Sequence, residues 1–442
     1  MRIAIIGAGL SGLTCARDLL RRGCDVEVFE ARQFVGGRAA TFPDRTGKPA
    51  EASLNVLAGS YRSVRRLLKA LGAQEAVNWR DEEVVFAFPG GRTTRLQLGG
   101  RGLAGRLRGL IATDLLSLDE KRTLAQALLP ALLSSHEYVK ELDSQNVAQW
   151  ARDHGLSESV LRNFIDPLSR AFNFLPPEEV SAATVVNALV VMARRAEAGR
   201  MGFLVSNASE ILFDRLVAEI LGRGGKIHLG TRVRSLPISG NRVVAAVDDG
   251  GREYRADGFV SCLLPDHLCP LLPAEIASRP PFEDLARIGS VPAVSVRFEL
   301  DRRVILQPNL VYSTRAPLAV VCDVTLCRPA CRRGETIVQA VLAPAEALMS
   351  RTDEQLVRMA WEALQDLYPA ASTAVLLRAE VYRIAPAAYR ARPGSEGLRP
   401  SSQTPVANLF LAGDYTHQGF PASLEGAAAS GHRAARAVLA VE

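Results

Sequence analysis

Apolar positions along this chain change rhythm several times, and the changes divide it. Residues 3–6 form an unbroken apolar run of strand length that stops at Gly7. From Leu10 the apolar residues fall at helical intervals, Leu13, Ala16, Leu19 and Leu20, until Gly23. A second apolar run, 26–29, follows at once, so the opening reads strand, tight turn, helix, strand. An amphipathic helix is predicted over 63–71. Residues 84–195 then show long helical patterns and few strand signals, and Leu103, Leu107, Leu110, Ile111, Leu115 and Leu118 share one helix face. After residue 200 the short rhythm returns. A helix over 209–221, a strand at 226–229 and a strand at 231–233 lead to a hairpin through Gly240 and Asn241 and a strand into Cys262. Residues 266–395 mix strands at 293–300, 319–324 and 336–342 with a helix at 353–367, and the chain closes with a strand ending at Gly413 and a helix starting near Ser423.

The first turn has a chemistry that its residue types dictate. Gly7 permits the sharp turn, Gly9 lets the backbone approach a pyrophosphate, and Gly12 lets the helix pack closely on the strand. Phosphates then sit on the unpaired N–H groups of the helix N-terminus. Glu30 ends the second strand about 20 residues past the glycines, where its carboxylate can take the hydroxyls of an adenosine ribose. Strand, glycines, helix and acid together specify a dinucleotide site.

Composition narrows the class without naming the chemistry. The chain has 442 residues, 48% hydrophobic and 23% charged, enough for a large core and two or three domains. The net charge of +6 comes mostly from arginine, since Lys48, Lys69, Lys121, Lys140 and Lys226 are the lysines. No aromatic and basic motif accompanies it, so nucleic acid is not an expected partner. The apolar N-terminal run breaks at glycines and lacks a cleavage site, which reads as a core strand rather than a secretion signal. No run reaches the 18 or so apolar residues that a bilayer span needs. The 7 cysteines form no CxxC pair. Reduced thiols in the cytoplasm are therefore expected, and no metal site, the cluster Cys322, Cys327 and Cys331 having the wrong spacing for zinc.

The residues after Glu30 carry a family resemblance. Glu30, Ala31 and Arg32 followed by Gly36, Gly37 and Arg38 resemble the signature of the two-domain FAD enzymes, which include flavin amine oxidases, protoporphyrinogen oxidase and phytoene desaturases. Glu51, Gly59 and Tyr61 match the next segment of the phytoene desaturases and hydroxysqualene dehydroxylases. Ser53 and Asn55 depart from it, standing where those families carry glycine and histidine. Asn173, Phe174, Pro177, Glu179 and Ser181 resemble a plant-type desaturase segment. Gly413, Asp414, Tyr415 and Thr416, with Ala422, Ser423, Glu425, Gly426 and Ala427, look like the carotene desaturase and squalene-associated group. Amine oxidases differ in two ways: an aromatic stands at the Ser423 position, and a lysine belongs near the central substrate strands, whereas this chain has no lysine after Lys226.

The resemblance implies an α/β fold, with a discontinuous Rossmann-type FAD-binding domain (1–62, 199–265, 396–442), an α+β substrate sheet region (266–395) and a helical lid or membrane-facing region (63–198). It implies FAD contacts at Gly7, Gly9, Leu10, Ser11, Gly12, Glu30, Ala31, Arg32, Gly36, Gly37, Arg38, Asn55, Val56, Val233, Gly413, Asp414, Ser423 and Leu424. His417, Asn55 and Tyr415 are the candidate catalytic residues, His417 for proton transfer and Tyr415 for shaping the pocket. The implied activity is hydride exchange between flavin N5 and an apolar isoprenoid, as in a desaturase or dehydroxylase. Quinone, oxygen or another acceptor takes or supplies the electrons, since no second nucleotide motif offers nicotinamide a place. An amine or porphyrinogen oxidase and a low-turnover FAD-binding protein are the competing readings. The helix over 103–118 reads either as a lid or as a peripheral contact with the inner membrane face.

Overall fold

The computed structural model describes residues 1–80, 83–97, 112–133, 136–194, 196–328, 330 and 336–441. Its organising layer is a parallel sheet in the order Lys226–His228, Asp25–Phe29, Arg2–Ile6, Gly258–Ser261, Leu409–Leu411. The first helix, Leu10–Leu20, and the last, Leu424–Leu439, lie together against one face of that sheet. Sequence-distant segments thus complete one layer, and Ile3, Ala4, Ile5, Ile6, Val26, Val28, Phe259 and Val260 are buried because both faces are covered. A Cβ on Gly431 would stand 2.4 Å from the carbonyl oxygen of Ser11, so the two helices touch through their backbones.

A second, mostly antiparallel sheet runs Leu376–Tyr389, Ser290–Leu300, Thr336–Leu342, Leu318–Asp323, Val311–Ser313, Glu83–Ala87, Thr93–Gln97. Alternation along Ser290–Leu300 sorts its two faces. Val294, Val296, Phe298 and Leu300 join the core beneath helix Asp353–Leu367, while Ser295, Arg297 and Glu299 point the opposite way. That helix begins where a capping box forms: Thr352 accepts from the Gln355 amide, and the Gln355 side chain accepts from Thr352 N–H.

Three sequence expectations need correction. The stretch 84–195 shows long helical patterns and few strand signals in the sequence, yet Glu83–Ala87 and Thr93–Gln97 form a hairpin of the second sheet. Val84, Val85, Phe86 and Ala87 are all buried, so neither face offers the polar alternation that marks a strand. The helix expected over 103–118 lies outside the described residues up to 111. Past Ala112 it is not helical: Leu115 is buried in an irregular stretch, and a new helix, Leu118–Leu133, starts at an exposed Leu118. The strand expected at 231–233 is displaced to Val233–Ser235. Helix Val147–Asp153, with fully buried Trp150, packs against helix Ala182–Arg194.

Candidate functional site

Two glycine loops meet at the C-terminal edge of the parallel sheet. The Gly36 amide donates to the Ala8 carbonyl at 2.9 Å, and Gly9 and Gly36 form a parallel bridge. Gly36 holds φ 107°, and a Cβ there would lie 2.9 Å from both the Ala40 Cα and the Phe213 ring, so neither backbone angle nor space admits a side chain. Gly12 is required for a different reason: its Cβ would stand 2.0 Å from the Gly7 carbonyl oxygen. No side chain caps the first helix, which leaves its N-terminal amides to a ligand. The Glu30 carboxylate, half-buried at the end of its strand, accepts from Ala8 N–H and Arg32 N–H and so faces the same turn.

The C-terminal motif closes over this cradle. Arg38 donates to the Asp414 carboxylate at 2.7 Å, across 376 positions of sequence, and to the Ala387 carbonyl on the second sheet at 2.7 Å. The Gly413 amide donates to Ser430 Oγ, and Ser423 Oγ caps the last helix by accepting from Gly426 N–H. Glu425 is buried and accepts from the Ser63 and Val64 amides, so one carboxylate caps helix Arg62–Ala70 while sitting in the first turn of the last helix.

Sequence reasoning missed the residue that shapes the loop between them. Arg399, almost fully buried, donates to the carbonyls of Asp414, Tyr415, Thr416 and Phe420 and pairs with Glu396, and its guanidinium lies 4.9 Å from the Tyr389 ring centre. Five donors in a rigid fork suit this task. A single arginine before Pro400 carries no sequence signal of it.

The candidate catalytic residues are not brought together. Tyr415 is fully buried, its ring packed under Gly413, and burial holds its phenol well above the ordinary value, so it stays protonated. His417 has an exposed side chain; partial desolvation and then the Arg399 charge lower its pKa. Asn55 is buried, with Nδ2 donating to the Ala39 carbonyl and Oδ1 accepting from Ser53. Its amide is thereby committed to the backbone next to Arg38. Beside it, Glu51 pairs with buried Arg328 at 2.5 Å, and Gln339 donates to the carbonyls of Glu51 and Ala52, tying this segment to the second sheet. Cys322 and Cys327 are free thiols with sulfurs 3.3 Å apart; Cys331 lies outside the described residues.

Two aromatic clusters are present, with the phenols of Tyr61 and Tyr312 as electrostatic neighbours. Tyr61 meets Phe420 edge-on at 6.2 Å. Tyr312 packs on Phe86 at 5.6 Å and on Phe172 at 5.8 Å, and Phe86 also meets Phe164. Burial pushes the Tyr61 phenol up to about 12, with a hydrogen bond to Ser423 working the other way. These rings come from all parts of the chain: the N-terminal segment, the second sheet, the helical region and the C-terminal loop.

The chain matches the family of flavin-containing amine oxidoreductases over residues 10–439. It belongs to that family. It is 30% identical to a 15-cis-phytoene desaturase of Synechococcus elongatus across 100% of this chain and 96% of that protein. A probable zeta-carotene desaturase of the same organism is 29% identical over 99% of this chain and 98% of its own length. Among solved structures, an oxidoreductase of Methanosarcina mazei shares the fold at a TM-score of 0.76 and 20% identity, covering 98% of this chain and 99% of that one.

The protein is therefore an FAD-dependent oxidoreductase, and its residues fit the cofactor. The side-chain-free surface of Gly9, Gly36 and Gly37 and the uncapped first helix suit a pyrophosphate. Glu30 supplies the acceptor a ribose needs, with Ala31 and Arg32 following it. Val233 is buried at the start of its strand, and Leu10 and Ser11 open the first helix; Val56 and Leu424 are half-buried beside Asn55 and Ser423. Among the described residues no three His, Cys, Asp or Glu side chains gather as a metal-binding group.

Proposed function

We propose that this enzyme exchanges a hydride with an apolar isoprenoid, removing it in a desaturation or delivering it as a hydroxyl leaves. The observation that carries this is a pair of aromatic clusters, Tyr61 with Phe420 beside Ser423 at the start of the last helix, and Tyr312 with Phe172 and Phe86. Similarity to phytoene and zeta-carotene desaturases over nearly the whole chain supports it. When bound, FAD supplies the hydride acceptor or donor. The chain's residues then do three things. Gly7, Gly9, Leu10, Ser11, Gly12, Glu30, Ala31, Arg32, Gly36, Gly37, Arg38 and Val233 hold the adenosine and phosphate end. Asn55, Val56, Gly413, Asp414, Ser423 and Leu424 frame the ring end, where the positive pole of the last helix favours negative charge. These rings exclude water and orient the substrate, which is what a reaction without a strong acid or base requires.

An amine substrate is disfavoured because no lysine follows Lys226 in the sequence and Ser423 is small. A quinone or oxygen takes the electrons in a desaturation, and the delivering direction draws them from a reduced partner such as a quinol. The working place is the cytoplasm, with a peripheral contact at the inner face of the membrane; no helix among the described residues is long and apolar enough to cross it. The test is anaerobic mixing of the purified yellow protein with phytoene in detergent micelles, followed by addition of a quinone. Bleaching of the flavin by phytoene and its recovery with quinone is expected. Bleaching by amines and not by isoprenoids would refute the proposal.

A further inference from the structure

Glu425 places a negative charge without a counter-ion in the first turn of the last helix. It is 2% exposed, and its carboxylate accepts from backbone N–H groups, Ser63 at 2.8 and 2.9 Å and Val64 at 3.1 Å. Among the described residues it pairs with no cation, whereas the buried Glu51 and Asp414 carboxylates each meet an arginine. Capping alone does not ask for this charge. The last helix already has Ser423 as its cap, with Oγ accepting from Gly426 N–H at 3.1 Å. Helix Arg62–Ala70 begins at Tyr61, whose side chain caps nothing, and a neutral amide or hydroxyl serves a helix start about as well as a carboxylate. A buried charge costs more to desolvate than either. Its field reaches the residues that frame the ring end: the Tyr61 phenol is raised by burial, lowered by its hydrogen bond with Ser423 and raised again by the Glu425 charge.

The positive pole of the last helix draws negative charge toward the ring end, and a carboxylate in its first turn offsets part of that pole. We propose that Glu425 sets the flavin potential, holding it lower than the helix end alone would. Reduction by two electrons and one proton adds one negative charge to the cofactor, and a fixed charge of the same sign nearby opposes it. A flavin poised in this way passes electrons to an acceptor more readily than one facing an uncompensated helix end. This rests on the placement of the ring end beside Ser423 and goes beyond it. Glu425 acts on the cofactor through its field and takes no part in proton transfer.

The test is the midpoint potential of the FAD-loaded full chain, measured at pH 7 by slow anaerobic reduction with dithionite beside an indicator dye of known potential. In Glu425→Gln the equilibrium should favour reduced flavin roughly threefold to tenfold more than in wild type, an upward shift of about 14–30 mV for a two-electron couple. Glu425→Asp keeps the charge but shortens the reach to Ser63. It should lower the melting temperature of the flavin-stripped chain and leave the potential nearly unchanged, which separates charge from capping. Ser423→Asp, which retains a helix cap and adds a charge at the same end, should lower the potential. An unchanged or lowered potential in Glu425→Gln, an equal rise in Glu425→Asp, or failure of Glu425→Gln to hold FAD overturns the inference. A lowered potential in Ser423→Asp beside any of those outcomes leaves the ring-end placement standing. A potential indifferent to all three substitutions overturns the placement as well.

Discussion

Arg399 concentrates more of the site's geometry than any residue named by the motifs. Its guanidinium satisfies four loop carbonyls that would otherwise face one another, and it does so while almost fully buried. Removing it takes this donor from the Tyr415 and Thr416 carbonyls and the Glu396 carboxylate, while Gln418 Nε2 still donates to the carbonyls of Asp414 and Phe420. Arg399→Met is expected to cost about 3 kcal/mol of stability, at the lower end for a broken buried pair because Glu396 retains some solvent. The protein should purify with less flavin, read as the ratio of visible to ultraviolet absorbance. Arg399→Lys, with a compact ammonium in place of the fork, should fall between the two. His417 is the contrasting case. Its backbone N–H donates to Pro400 and its carbonyl accepts from Arg433, but its ring is exposed. His417→Gln should change kcat by less than roughly twofold, against the 10²- to 10⁴-fold that loss of a general acid or base costs.

At the scale of elements, the short hairpin of Thr41–Pro43 and Pro49–Glu51 joins the cofactor cradle to the second sheet. Phe42 stacks against Phe34 and meets Tyr382 edge-on, and Asp44 at the turn accepts from Thr46, Lys48 and Arg378, with Arg297 nearby at 3.7 Å. Burial alone would raise the Asp44 carboxyl, but the hydrogen bonds from Thr46, Arg378 and Lys48 outweigh it and hold the group well below its ordinary value of 3.8. A carboxylate depressed on folding adds stability that is present above its unfolded pKa and lost as pH falls toward the folded one. Asp44→Asn should therefore be less stable than wild type at pH 7 by about 1–2 kcal/mol, discounted for partial solvation of the pair. The gap should narrow steadily below about pH 4. Urea unfolding of both proteins at pH 7 and pH 3 measures it, and an equal gap at the two pH values would show that charge is not what the turn uses.

Across the whole molecule, what could be read in advance follows from how local each feature is. The Gly7, Gly9, Gly12 and Glu30 turn, the Gly36, Gly37 and Arg38 extension, helix Asp353–Leu367 and the start of the last helix at Ser423 are set by neighbours in sequence. All were legible. Strand Glu83–Ala87 was not, because covering both of its faces erases the alternation. Nor were Arg399, Glu425 as the cap of helix Arg62–Ala70, or the Glu51–Arg328 pair, since each partner is brought from far along the chain. The same nonlocality makes a prediction about cofactor and fold. The cradle draws on Gly9, Gly36 and Arg38 from one end and Asp414 and the last helix from the other, and the Arg38–Asp414 bond joins them. A ligand held by both ends binds the folded chain and not the unfolded one, so it should stabilise by RT ln(1 + [L]/Kd), about 2.7 kcal/mol at a hundredfold excess over Kd. Thermal melts of flavin-stripped protein should rise with the logarithm of added FAD. Arg38→Met should flatten that rise, because the bond between the two ends is gone while each loop remains intact. A melting temperature indifferent to FAD, in protein that still binds it by absorbance, would mean that one end holds the cofactor alone.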